Sequence, residues 1–116
     1  MTVLHERMSR VDTAWLRMDT PENLMMIVGV WLLSPRIELE ALRERVSERL
    51  LQYRRFKQCV VEDPMGAQWV EARDFDLADH VVAVELEPRK GQSRMEALKE
   101  HVAALTADPL DPRLPL

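Results

Sequence analysis

The sequence predicts an α+β domain, with helices layered on strands. Three observations carry this. Residues 24–33 form one unbroken apolar run. Residues 38–52 and 93–107 repeat apolar side chains at helical spacing. Asp63-Pro64-Met65-Gly66 separates two short strand-like stretches. In chain order the expected elements are α-β-α-β-β-β-α.

The first helix begins at Ser9, whose hydroxyl can accept from the amide three residues on, and Asp12 puts negative charge in the first turn. Val11, Trp15, Leu16 and Met18 give it one apolar face, and Pro21 ends it. Residues 24–33 are too short and too β-branched at their centre to favour a helix. They are apolar on both faces, as central strands of covered sheets are. Gly29 marks a bulge or a close approach by another group, and Met25-Met26 reads as core filling. Ser34-Pro35 closes this strand.

Between residues 38 and 52, Leu39, Leu42, Val46 and Leu50 recur at three- and four-residue steps, and charged residues fill a face expected to be solvated. A hairpin follows, with strands at 57–62 and 67–71. Proline and glycine at the second and fourth turn positions suit a type I turn. Residues 75–80 read as a loop or one helical turn, and 81–86 as a further strand. The last helix starts on a Ser93/Glu96 capping box, carries Met95, Leu98, Val102 and Leu105 as its apolar stripe, and stops before Pro109.

Composition excludes several classes of function. With 116 residues, 47% apolar and 31% charged, the chain is one domain or part of one, with material for a modest core. A net charge of −4 argues against a nucleic-acid partner, which wants a basic face. Arg54-Arg55-Phe56-Lys57 is read as a solvated helix end. The single cysteine, Cys59, forms no internal disulfide and reads as a small buried hydrophobe in a reducing compartment. No secretory signal is visible, and the ten-residue apolar run is half of what a membrane span needs. The expected location is cytoplasmic.

The residues offer no self-sufficient active site. His5, His80 and His101 lack metal-ligand spacing. Asp74, Asp76 and Asp79 lack the glycine and terminal glutamate of a calcium loop, so they read as turn formers. Three glycines in all leave no phosphate loop. No cofactor and no metal are expected. The closing stretch, with Pro109, Pro112 and Pro115, is extended or turning and reads like a connection into a further strand, as if the fold were interrupted there.

Order and local strings together resemble the N-terminal segment of the bacterial wax ester synthase/acyl-CoA:diacylglycerol acyltransferase family. Met8-Ser9-Arg10-Val11-Asp12-Thr13-Ala14-Trp15-Leu16 is like the family's first helix, and Asn23-Leu24-Met25-Met26-Ile27-Val28-Gly29-Val30 like its first strand. Many members carry Met-His where this chain has Met25-Met26. Leu50-Leu51-Gln52-Tyr53-Arg54-Arg55-Phe56-Lys57-Gln58 is similar to the family's helix exit, with Tyr53-Arg54 where a proline often precedes Arg-Phe. Phe75-Asp76-Leu77-Ala78-Asp79-His80-Val81 is similar to its next loop. Residues 109–116 resemble its Pro-Leu…Pro-Leu-Trp motif without the tryptophan.

The resemblance covers essentially the whole chain. It implies part of one half of a fold like that of chloramphenicol acetyltransferase and condensation domains, so that residues 1–116 form the N-terminal part of an acyl-CoA-dependent acyltransferase domain. It implies transfer of a fatty acyl group to a long-chain alcohol or diacylglycerol, with acyl-CoA as co-substrate and the C-terminal remainder of the enzyme as partner, at a lipid surface. The family's His-His-x-x-x-Asp-Gly motif matches no position here, so no catalytic residue carries over. Met26, Val28 and Gly29 are the expected channel wall. The competing readings are an interaction module that pairs with itself or with the remainder through an open sheet edge, and a small domain of unrelated function.

Overall fold

The structure, a computed structural model, describes residues 5–115. In chain order it contains β1 (His5–Arg7), α1 (Arg10–Met18), α2 (Leu39–Arg49), a 3-10 turn (Arg54–Lys57), β2 (Gln58–Asp63), β3 (Gly66–Glu71), a second 3-10 turn (Leu77–Asp79) and α3 (Arg94–Thr106). The architecture is a small α+β arrangement of three helices and one antiparallel sheet in the order β1-β3-β2.

The hairpin forms where the turn chemistry places it. Gln58 pairs with Glu71 at one end and Asp63 with Gly66 at the other. Asp63 Oδ1 accepts from the Met65 amide at 2.8 Å, closing the loop on itself. Gly66 has φ +137°, a conformation that side chains with a Cβ rarely adopt. On the other side of β3 lies β1, with His5 opposite Val70 and Arg7 opposite Gln68. Sequence reading missed this strand because His-Glu-Arg has no apolar alternation. Distant partners hold it instead. Arg7 donates to both carboxylate oxygens of Asp63 at 3.0 and 2.9 Å, and Arg55 donates to Glu6 at 3.1 Å.

The helices start as their caps dictate. The Asp12 amide donates to Ser9 Oγ at 3.1 Å. At α3 both arms of the capping box form: the Glu96 amide donates to Ser93 Oγ, and the Ser93 amide to Glu96 Oε2 at 2.7 Å. α1 lies on β3, with Met8 and Ala67 buried beneath it and the Met8 amide donating to the Ala67 carbonyl at 2.9 Å. α2 ends at Arg49, short of the expected Gln52. Its charged face is not all solvated, because Arg43 donates twice to the Val81 carbonyl, at 3.1 and 3.0 Å.

Two expected strands are corrected. Neither residues 24–33 nor residues 81–86 join the ladder, so the observed order departs from α-β-α-β-β-β-α. Both sequences suit a strand, but a strand exists only against a hydrogen-bonding neighbour, and no described strand lies beside either. The cost shows as exposure: Ile27 is 97% and Trp31 81% accessible. The modest core is also smaller than expected, since Met8, Ala67 and Ala97 are the only buried apolar side chains among the described residues.

The chain is correspondingly open. It exposes 9954 Å², where a compact chain of this mass exposes about 6,500 Å². The radius of gyration is 17.2 Å, against about 13 Å for a compact domain of similar size. The body is a slab of 53 × 35 × 20 Å. Removing the cap of α3 with Ser93→Ala is expected to cost about 1 kcal/mol. It should appear as roughly fivefold faster amide exchange at residues 94–97.

Candidate functional site

An apolar cleft lies where α1, β2 and the closing turn meet. Trp15 and Leu16 of α1 form one wall, and Leu24, Met25 and Met26 the next. Gln58, Cys59 and Val60 of β2 make the floor, and Leu110, Pro112 and Leu114 the rim. The cleft holds about 240 Å³. A second apolar hollow of about 530 Å³ adjoins it, lined by Met8, Ile27 and Trp69 and sharing Trp15, Leu16, Met25 and Val60 with the first. The two make one greasy trough.

Polar groups along the cleft are already engaged. Asp19 Oδ1 accepts from the Met25 amide at 2.8 Å. Gln58, 2% exposed, accepts from Arg55 and donates to Glu71. The Cys59 thiol donates to the Arg113 carbonyl at 3.3 Å, tying the closing turn to β2. Burial first, and the Asp111 charge second, push this thiol above its ordinary range, so it stays protonated. Asp111 accepts from the Arg113 guanidinium at 3.0 and 2.8 Å and from its amide at 3.0 Å. These bonds, the side-chain ones foremost, bring its carboxyl down to about 2. A protonated thiol and a strongly paired carboxylate cannot serve as nucleophile or base near neutral pH.

Of the expected channel-wall residues, Met26 lines the cleft. Val28 and Gly29 lie outside both hollows, on the exposed segment. The group that approaches Gly29 is the indole of Trp31, whose Cη2 lies 3.1 Å from where a Cβ would sit. Cys59 is half-buried, less hidden than its sequence context suggests. The basic run is no free helix end: Arg54 pairs with Glu71 at 3.0 Å, and Arg55 lies 4.3 Å from the centroid of the Trp69 ring.

Asp76 behaves as a turn former, its Oδ1 accepting from the Ala78 amide. His80 stacks on Phe75 at 5.1 Å. Among the described residues no group of three His, Cys, Asp or Glu side chains could hold a metal, and no helix is long and apolar enough to cross a membrane. The trough itself escaped sequence reading. Trp15 was placed on a buried helix face, whereas its half-exposed indole is the partition between the two hollows.

Residues 8–116 match the family model described as the wax ester synthase/diacylglycerol acyltransferase catalytic domain. The chain belongs to that family. Two curated relatives, probable diacylglycerol O-acyltransferases of Mycobacterium tuberculosis strains CDC 1551 / Oshkosh and H37Rv, are each 36% identical over 117 residues. The alignment covers 95% of this chain and 42% of theirs, so the chain spans about two fifths of the length of the relatives it matches. No solved structure matches it. The trough is lined chiefly by apolar side chains, with the carboxylates of Asp12 and Asp19 on its α1 wall.

The Asp111–Arg113 pair makes the closing turn acid-sensitive. A depressed carboxyl contributes stability in full above the ordinary carboxylate range and loses it as pH falls through about 2. Carbon NMR of the Asp111 carboxyl should titrate near 2, and Arg113→Ala should move it back toward 3.8. The alkylation rate of Cys59 should rise only above the ordinary thiol range. Asp111→Asn should lower that midpoint in part, since burial is the larger cause.

Proposed function

We propose that this chain is part of an O-acyltransferase that moves a fatty acyl group from acyl-CoA to a long-chain alcohol or a diacylglycerol. Within that enzyme it supplies channel wall, not catalytic groups. The family match over residues 8–116 carries the reading. The apolar trough bounded by Trp15, Leu16, Met25 and Met26 supports it, because hydrocarbon binding needs burial more than hydrogen bonds.

In the proposed reaction a base takes the proton of the acceptor hydroxyl, and the oxygen attacks the thioester carbon. The carbon–sulfur bond then breaks, and the CoA thiolate leaves and takes up that proton. No two histidines are adjacent in the 116 residues, so the His-His-x-x-x-Asp-Gly base that the family resemblance implies must come from other polypeptide. We place the complete domain in the chloramphenicol-acetyltransferase-like and condensation-domain-like class, with the C-terminal remainder of the enzyme as partner and a lipid surface in the cytoplasm as its place of work. The unladdered residues 24–33 and the large exposed apolar area support a partner that covers them.

A second reading rests on the sheet. The outer side of β2 has no ladder partner among the described residues, so the chain could act as an interaction module that recruits a strand from itself or from the remainder. A chain that stays monomeric and ignores the separated remainder speaks against it.

The deciding assay is CoA release by the complete enzyme, supplied with a long-chain acyl-CoA and either diacylglycerol or a long-chain alcohol. Turnover is expected from the complete enzyme and none from residues 1–116 alone. Met26→Trp in the complete enzyme should shift preference to shorter acyl chains by filling the cleft. Gly29→Val, which forces Trp31 to move, should change chain-length preference if the exposed segment borders the channel. An unchanged preference in both variants sinks the wall assignment.

A further inference from the structure

We propose that the hollow on the arginine side of α1 binds the phosphates of the acyl donor's CoA moiety. This rests on the acyl-CoA reading above and adds where the anionic end of the donor sits. The hollow, of about 300 Å³, is walled by Arg7, Arg10, Thr13 and Arg17 and by the turn residues Met65 and Gly66. Arg10, Thr13, Ala14 and Arg17 stand at positions i, i+3, i+4 and i+7 and so share one face of α1. Asp12, Trp15, Leu16 and Asp19 take the other face, over the apolar trough. α1 is thus a ridge between a cationic surface and a hydrocarbon-binding one.

The arginines differ in what they are free to do. Arg7 is committed to Asp63. Arg10 and Arg17 make no ion pair among the described residues. Arg10 also stands in the first turn of its helix, against the helix dipole, where Asp12 is the favourable charge. A residue that breaks a local rule with no local compensation marks a functional position. Seven residues of helix separate Arg10 from Arg17 by about 10 Å, so the two guanidiniums can reach separate phosphate groups. CoA offers a diphosphate and a ribose phosphate, and the planar guanidinium fork grips phosphate oxygens in pairs.

The buried Met8 stands between the hollow and the trough. Met8 lines both the arginine hollow and the larger apolar one, which shares Trp15, Leu16, Met25 and Val60 with the cleft. A ligand with phosphates at one end and a hydrocarbon chain at the other would cross the nine-residue helix α1 to occupy both. A diacylglycerol or a long-chain alcohol carries no phosphate, so the hollow selects donor over acceptor. In a chain of net charge −4, a local cationic surface also steers a polyanion to this side.

The test uses the complete enzyme carrying Arg10→Gln and Arg17→Gln together. Both side chains are exposed, and a thermal melt checks that the fold persists; if the pair unfolds, the single variants are read instead. The KM for acyl-CoA should rise about tenfold, with kcat and the KM for diacylglycerol unchanged. S-acyl-pantetheine, which has no phosphate, should serve the wild type worse by a similar factor and serve the variant no worse than acyl-CoA does. A variant that still discriminates as the wild type does overturns the proposal. Equilibrium binding of CoA by the complete protein reads the site without turnover. Inactive enzyme that binds CoA through these arginines would refute the acyltransferase reading and uphold the site, whereas CoA binding indifferent to both substitutions would refute the site. An anionic phospholipid headgroup presents the same phosphate chemistry. Loss of sedimentation with phosphatidylglycerol vesicles at unchanged CoA affinity would assign the hollow to lipid and overturn the CoA proposal.

Discussion

The sheet and the helix α1 laid on it depend on the β2–β3 pairing. Six residues face six across a two-residue loop, and Gly66 lets the second strand leave the turn at φ +137°. Once that ladder exists, β3 offers its far side to β1 and its face to α1. The buried Ala67 sits at the contact because a larger side chain would lift the helix away. The same strands provide Gln58 and Glu71, which anchor Arg54 and Arg55, and Cys59, which holds the Arg113 carbonyl. A long-range ladder is entropically demanding, since loop closure precedes its reward. Here the hairpin is local, and the distant pieces join it through side-chain hydrogen bonds and charge pairs.

The functional surface follows from that frame. α1 is laid across β3 with one face to the trough and the other to the arginine hollow. Three polar side chains near the trough are engaged: Asp19 accepts from a backbone amide, Asp111 accepts from Arg113, and Cys59 donates to a carbonyl. The lining of the trough is chiefly apolar, in a family segment which aligns with 42% of its curated relatives.

Local physics was legible in the sequence, and non-local physics was not. Ser9, the Ser93/Glu96 box and the Asp63–Gly66 turn act within three or four residues, and each formed as read. β1 was invisible because its stability comes from Asp63 and Arg55, about fifty positions away. Residues 24–33 were misread as a formed strand because apolar content reports a wish to be covered, not a neighbour that does the covering. Of the expected wall, Met26 meets the cleft through its position after α1, while Gly29 is approached by its own chain's Trp31. The arginine hollow went unnoticed for the same reason as β1: Arg7, Arg10 and Arg17 become neighbours of Met65 and Gly66 only when the helix lies on the hairpin.

The 20 Å dimension of the slab has a further meaning. A sheet and a helix each occupy about 10 Å of thickness, so the body is two layers deep. In two layers every element has one side to solvent, and a segment that is apolar on both faces has nowhere to go. Residues 24–33 are such a segment. A third layer would cover this segment on the side where Ile27 and Trp31 now stand in water.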